Sequence, residues 1–303
     1  GEGTVTLANT NTYTGTLSIQ QGTVRALNQA ALPIGDLGWS NSGSSAALDL
    51  VAPGDYPMAT ISSFGSNLRL VTSGPGTVSL TVAGQNSLGG NADKTLQVGE
   101  NVTAILNGDI VAGSANRERS LRFLNAGDVV INGTISSSST NLFGLVQTAN
   151  SGEAVPENGT LHVNGFNVYN GVTRVSAGTL KVGSVLALGS TSSGVLLNVA
   201  TEDVGTPEAP VIQAVPGINP GTLDVNGYSI EGESLTLEGT YGRPQMINSS
   251  VASPVTWSGG IEVIDAGGLG GPGAIDVTSV VSGTVGRLAK VGAGTVTLSA
   301  VNT

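Results

Sequence analysis

The sequence predicts an all-β chain wound as a right-handed parallel β-helix, a β-solenoid with loop excursions. Three observations predict it: a composition of strand formers and turn formers, apolar residues that alternate in short runs, and one strand–turn phrase that recurs along the chain. Of 303 residues, 39% are hydrophobic, only 11% are charged, 4% are aromatic and 46 are glycine. Val and Thr suit a pleated surface because their β-branch packs well there. Gly and Asn suit tight turns because they tolerate positive φ. The interior of a narrow coil takes mainly small aliphatic side chains, which matches the low aromatic content.

The recurring phrase begins at Gly3 as GTVTL, at Gly159 as GTLHV and at Gly294 as GTVTL. Copies one and two then run without a gap through NTYTG (Asn11, Tyr13, Gly15) and NVYNG (Asn167, Tyr169, Gly171) to GTVR at Gly22 and GTLK at Gly178. Copy three reaches Asn302 and stops one position before its tyrosine, so the chain reads as a window onto a longer repeat protein. Shorter echoes stand at Gly74, Gly221 and, more loosely, Asp128. Val5 and Leu7, Leu161 and Val163, and Val296 and Leu298 are each two residues apart, so each pair shares one face of a strand. Helical periodicity is absent; Gln29–Leu32 allows one helical turn at most. Repetition of one phrase favours a solenoid over a sandwich or barrel. At roughly 20–25 residues per coil the chain makes about 12–15 coils and about 60–70 Å of rod. Residues 1–303 read as one solenoid. The four prolines Pro207, Pro210, Pro216 and Pro220 mark 201–220 as an excursion or a joint, with Asn107–Arg122 as a second candidate.

GEGTVTLANTNTYTG-TLSIQQGTVRA and GTLHVNGFNVYNG-VTRVSAGTLKV resemble the autotransporter-associated β-strand repeat, also called the passenger-associated transport repeat. The run from Ile275 to Gly292 resembles the segment that leads into that repeat. The specific matches cover about a quarter of the chain, and the middle copy departs from the pattern where Glu157-Asn158-Gly159 replaces Gly-x-Gly. The resemblance implies β-helical stalks at the surface of, or secreted from, Gram-negative-type bacteria, and it brings no catalytic motif. The resulting expectation is a structural extracellular stalk, fibre or adhesin segment, assembling with further repeats or identical chains. The alternative is a polysaccharide-binding or polysaccharide-degrading β-helix, with surface glycans as partners.

Composition narrows the chemistry. With no cysteine there are no disulfides, thiolate metal sites or cysteine nucleophiles. A net charge of −10 disfavours nucleic acid, whose phosphates need clustered Lys and Arg. The densest basic group, Arg117, Arg119 and Arg122, encloses Glu118 and reads as a polar loop. No apolar run approaches the ~18 residues of a membrane span. No catalytic, cofactor or metal residues are expected. His162, the single histidine, takes the outward slot of Thr6 and Thr297, with Asp224 in the matching slot of an echo several coils away. Neither has the orienting partner that a general base needs. Glu231, Glu233 and Glu238 form the richest acidic group. Paired carboxylates serve glycoside hydrolysis or calcium, but these read as a solvated edge, as does Glu202-Asp203. Gly267–Pro272 lacks the aspartate of a calcium-binding glycine repeat and reads as a flexible loop. Trp257 reads as coil packing, and Trp39 is the better candidate for stacking on a sugar.

Overall fold

The computed structural model describes residues 2–33, 35–39, 46–63, 67–138, 140–149, 158–203, 212–215, 218–283 and 286–301. It is a β-solenoid of parallel strands stacked coil on coil. The first sheet carries twelve strands from Thr4–Leu7 to Val281–Ser282, and the second carries ten from Gly54–Met58 to Arg287–Val291. A third face consists of short segments of three strands each, such as Leu17–Ile19, Leu37–Trp39 and Ile61–Ser63. Twelve stacked strands correspond to a rod of about 50 Å, slightly shorter than the sequence suggests. Among the described residues the one helical element is a 3-10 turn at Gln29–Ala31.

Alternation within strands becomes columns along the rod. On the second sheet Tyr56, Leu80, Ala104, Val129, Leu161, Leu180, Leu223, Met246 and Leu269 lie directly one above another. All are buried and belong to one continuous core. Full burial of such side chains contributes about 1.5–3 kcal/mol each, so every coil is held mainly by its neighbours. On the first sheet the column Leu68, Leu96, Phe123, Gln147, Val175 and Leu197 includes one polar member. Gln147 is held through its amide nitrogen, Nε2 donating to the Gly159 carbonyl at 2.9 Å, while its Oε1 is buried without a partner among the described residues.

Gly267–Gly271 departs from the sequence expectation. Ala266–Gly270 is a fully buried strand of the second sheet, not a loop. Glycine weakens strands in general, but here a Cβ on Gly267 would strike Leu237 and one on Gly268 would strike the Arg243 carbonyl. The residues are glycine because neighbouring side chains and backbone approach too closely to admit a Cβ.

At the end of the first-sheet strand Val195–Asn198, the chain leaves the coil. Thr201–Asp203 pairs antiparallel with Ile212–Ala214, and the hairpin rests on a small apolar cluster of Ala149, Ala177, Ala200 and Val215. Pro207, Pro210 and Pro216 lie outside the described residues.

Candidate functional site

The first two repeat copies each close one coil upon themselves. Thr4–Leu7 pairs in register with Thr23–Ala26, and Thr160–Val163 pairs in register with Thr179–Val182. The conserved spacing of the two phrases is therefore the circumference of a coil. Halfway round, an asparagine side chain bonds the next coil: Asn11 Nδ2 donates to the Ala31 carbonyl (2.6 Å) and Asn167 Nδ2 to the Ala187 carbonyl (2.7 Å), each twenty residues on. Asn167 Oδ1 also accepts the Ile135 N–H from the coil before, so one buried amide ties three coils. Tyr169 is fully buried, with its hydroxyl 2.6 Å from Thr173 Oγ1.

The copies differ in ways set by their place in the rod. Copy one's first strand lies on the first sheet, copy two's on the second, and copy three's, Val296–Leu298, on the third face. Gly159, Gly171 and Gly294 each press against the backbone of the coil beneath, whereas Gly3 and Gly15 have open space. Val5 is 60% exposed and Tyr13 is 43% exposed, while Leu161, Val163 and Tyr169 are fully buried. Leu7 and Val296 are half-buried against the core, and Leu298 is exposed. The first and last coils are covered on one side only. Asn302 lies outside the described residues.

The sequence's chemical candidates are mostly dispersed. His162, Lys181 and Asp224 do share one column of the second sheet, closer than several coils, but Lys181 stands between the other two. Lys181 Nζ is 3.7 Å from Asp224 Oδ2, and Asp224 Oδ1 accepts the N–H groups of Asn226 and Ser249. Asp224 is thus nearly buried and structurally engaged, not solvated. Burial holds the His162 imidazole below its usual range, with Asp128 and Asp224 pulling up and Lys181 pushing down.

The three glutamates also separate: Glu231 is exposed, Glu238 half-buried and Glu233 only 2% exposed. The expected solvated edge therefore fails at Glu233, whose carboxyl is pushed up to about 7 by burial. Its Oε1 is buried without a hydrogen-bond partner among the described residues. Trp257 is buried in the core, and the side chains of Trp39, Glu202 and Asp203 lie outside the described residues. Among the described residues no three His, Cys, Asp or Glu gather closely enough to hold a metal ion.

A concave site lies on the first sheet, and only part of it is visible in the sequence. A cleft of about 510 Å³ runs across the outer face of the first sheet, beside Thr201 at the base of the hairpin. Arg122, Val146 and Arg174 form one outward column along its floor, and Ser176 and Asn198 stand beside it. Arg119, which the sequence groups with Arg122, also borders the cleft, but its guanidinium is already engaged. Its guanidinium donates to the carbonyls of Leu88 (3.2 Å), Gly90 (2.5 Å) and Gly113, and lies over the Phe143 ring. Arg117 donates to the Asn91 carbonyl, outside the cleft. The sequence signal for Arg174 was slight: a basic residue where the first copy has Ser18.

The passenger-associated-transport-repeat family model matches residues 1–26, 158–182 and 288–303. No curated protein and no solved structure matches the chain. The matched segments coincide with the self-stacking coil at Thr4–Ala26, its counterpart at Thr160–Val182, and the last two strands. The chain is a β-solenoid that carries three matches to the passenger-associated transport repeat, two spanning a coil and the third covering its last strands.

Proposed function

We propose that this chain is a structural, non-enzymatic segment of a bacterial surface or secreted passenger protein, serving as a stalk, fibre or adhesin shaft outside the cell. The observation that carries the reading is the coincidence of the passenger repeat with single self-stacking coils. A repeat that closes one coil adds length without changing cross-section, and the parallel ladders between coils make the product stiff. The dispersal of His162, Asp224, Glu231, Glu233 and Glu238 agrees with a geometric role. Further repeats, or identical chains, are the partners that such a coil fits, since a coil of parallel strands is completed by coils stacked on both of its faces.

Antibodies against the chain are expected to label intact, unpermeabilised cells of its source, or to detect the chain in the medium. Labelling that appears only after permeabilisation, with none in the medium, would overturn the extracellular assignment.

A further inference from the structure

We propose that the cleft on the first sheet is a binding site for an acidic glycan, with Arg122 and Arg174 each receiving one carboxylate. This goes beyond the structural role above and does not depend on where the protein resides.

The chain is acidic overall, with 11 basic against 21 acidic residues. Its cations are mostly engaged: Arg25 pairs with Asp49 at 2.7 Å, Lys181 with Asp224 at 3.7 Å, and Arg119 with three carbonyls. Arg122 and Arg174 have no ion-pair or hydrogen-bond partner among the described residues, and both line the same cleft. The Arg122 Nε is buried and unsatisfied. A buried donor without a partner costs about 1–3 kcal/mol, so an arginine in this state calls for an occupant. Two carboxylates also line the cleft, Asp93, whose Oδ1 accepts the Ser120 N–H at 2.8 Å, and the exposed Glu118.

The spacing selects the ligand. Arg122 and Arg174 are separated by the single strand that carries Val146. Two strand spacings are about 10 Å, close to the length of one disaccharide in an extended glycan. A guanidinium fork reads a carboxylate through two parallel hydrogen bonds. Beside the forks stand neutral polar groups suited to sugar hydroxyls, Ser120, Thr148 and the Ser176–Asn198 pair, in which the Ser176 hydroxyl donates to Asn198 Oδ1 at 2.6 Å and the Asn198 amide nitrogen remains to donate. A peptide strand is a poorer fit. It binds by adding to a sheet edge, and here the ligand meets a sheet face whose backbone groups are already used in the ladders.

Calorimetric titration of the folded chain with a uronic-acid tetrasaccharide, and with the neutral tetrasaccharide of the same linkage, tests this. The uronate is expected to bind in a salt-sensitive manner and the neutral sugar at least about tenfold more weakly. Arg122→Gln and Arg174→Gln should each weaken uronate binding about tenfold, while Arg117→Gln, outside the cleft, leaves it unchanged. Both cleft arginines project outward from the sheet, so circular dichroism should match the parent chain and neither variant should melt lower than it. No binding of the uronate, equal binding of the neutral sugar, or indifference to both cleft substitutions would overturn the proposal. An oligoglutamate peptide that binds more tightly than the uronate and needs Arg122 would also overturn it, in favour of an acidic peptide site.

Discussion

Glu233 is where a single side chain most changes the behaviour expected of the rod. In sequence it sits between Gly232 and Ser234, a pattern that reads as an exposed turn. In the structure the turn folds inward, and Gly259 of the following coil closes over the Glu233 backbone, where a Cβ would overlap its carbonyl. Local composition signals a turn, but only the next coil decides which of its residues are covered. Burial raises the Glu233 carboxyl from 4.5 to about 7. Between these values the folded chain keeps a proton that the unfolded chain releases. The Glu233 contribution to stability is therefore most favourable below pH 4.5, falls as pH rises toward 7, and then levels off. Glu233→Gln removes the titration. At pH 8 it is expected to be more stable than the parent by up to about 3 kcal/mol, with the advantage vanishing near pH 4.5. Denaturant melts of both proteins from pH 4 to 8 measure this, and parallel stability curves would refute the assignment.

At the scale of elements, the corners are as ordered as the strands. Asn107, Asn132 and Asn164 stack in consecutive coils, with Asn132 Nδ2 donating to Asn107 Oδ1 (2.7 Å) and Asn164 Nδ2 to Asn132 Oδ1 (2.8 Å). The glycine after each is locked by the coil beneath: a Cβ on Gly133 would strike the Gly108 carbonyl, and one on Gly165 the Gly133 carbonyl. The sequence shows Asn-Gly as a turn, because these residues tolerate turn conformations. It does not show that successive turns superpose, since the intervening chain varies in length. The same limit explains Ala266–Gly270, where glycine in the sequence suggests flexibility but close approach of neighbours demands it. Gly133→Ala should cost about 1–3 kcal/mol through backbone displacement. Gly89→Ala, at a site with nothing within 4 Å, should stay within about 0.5 kcal/mol. Equal midpoints for the two variants in a urea titration would show that the corner stack is not tight.

Over the whole molecule, the sequence made the solenoid legible because each GTxxx phrase is self-contained, with a turn, an inward pair and an outward residue within five positions. The assignment of phrases to faces was not legible. Copies that look alike occupy three different sheets, because a repeat that closes one coil is indifferent to where on the circumference it starts. Nor does the phrase reveal how well a copy is covered, which depends on the coils above and below. Leu161 lies mid-rod between Val129 and Leu180 and is fully buried, whereas the equivalent Val5 is 60% exposed in the first coil. In a quasi-one-dimensional fold, stability comes from nearest-neighbour interfaces, so coils with one neighbour open more readily than coils with two. Amide hydrogen exchange of the 303-residue chain should show protection rising from Thr4–Leu7 to a plateau across the middle coils and falling again toward Val296–Leu298. Leu161→Asp buries an unpaired charge and should cost more than about 4 kcal/mol, collapsing protection in the coils on either side. Val5→Asp should cost less than about 0.5 kcal/mol and leave the middle unchanged. Protection that is uniform along the chain, or equal damage from the two substitutions, would mean that the coils unfold as a single unit and that neighbour contacts are not what sets their stability.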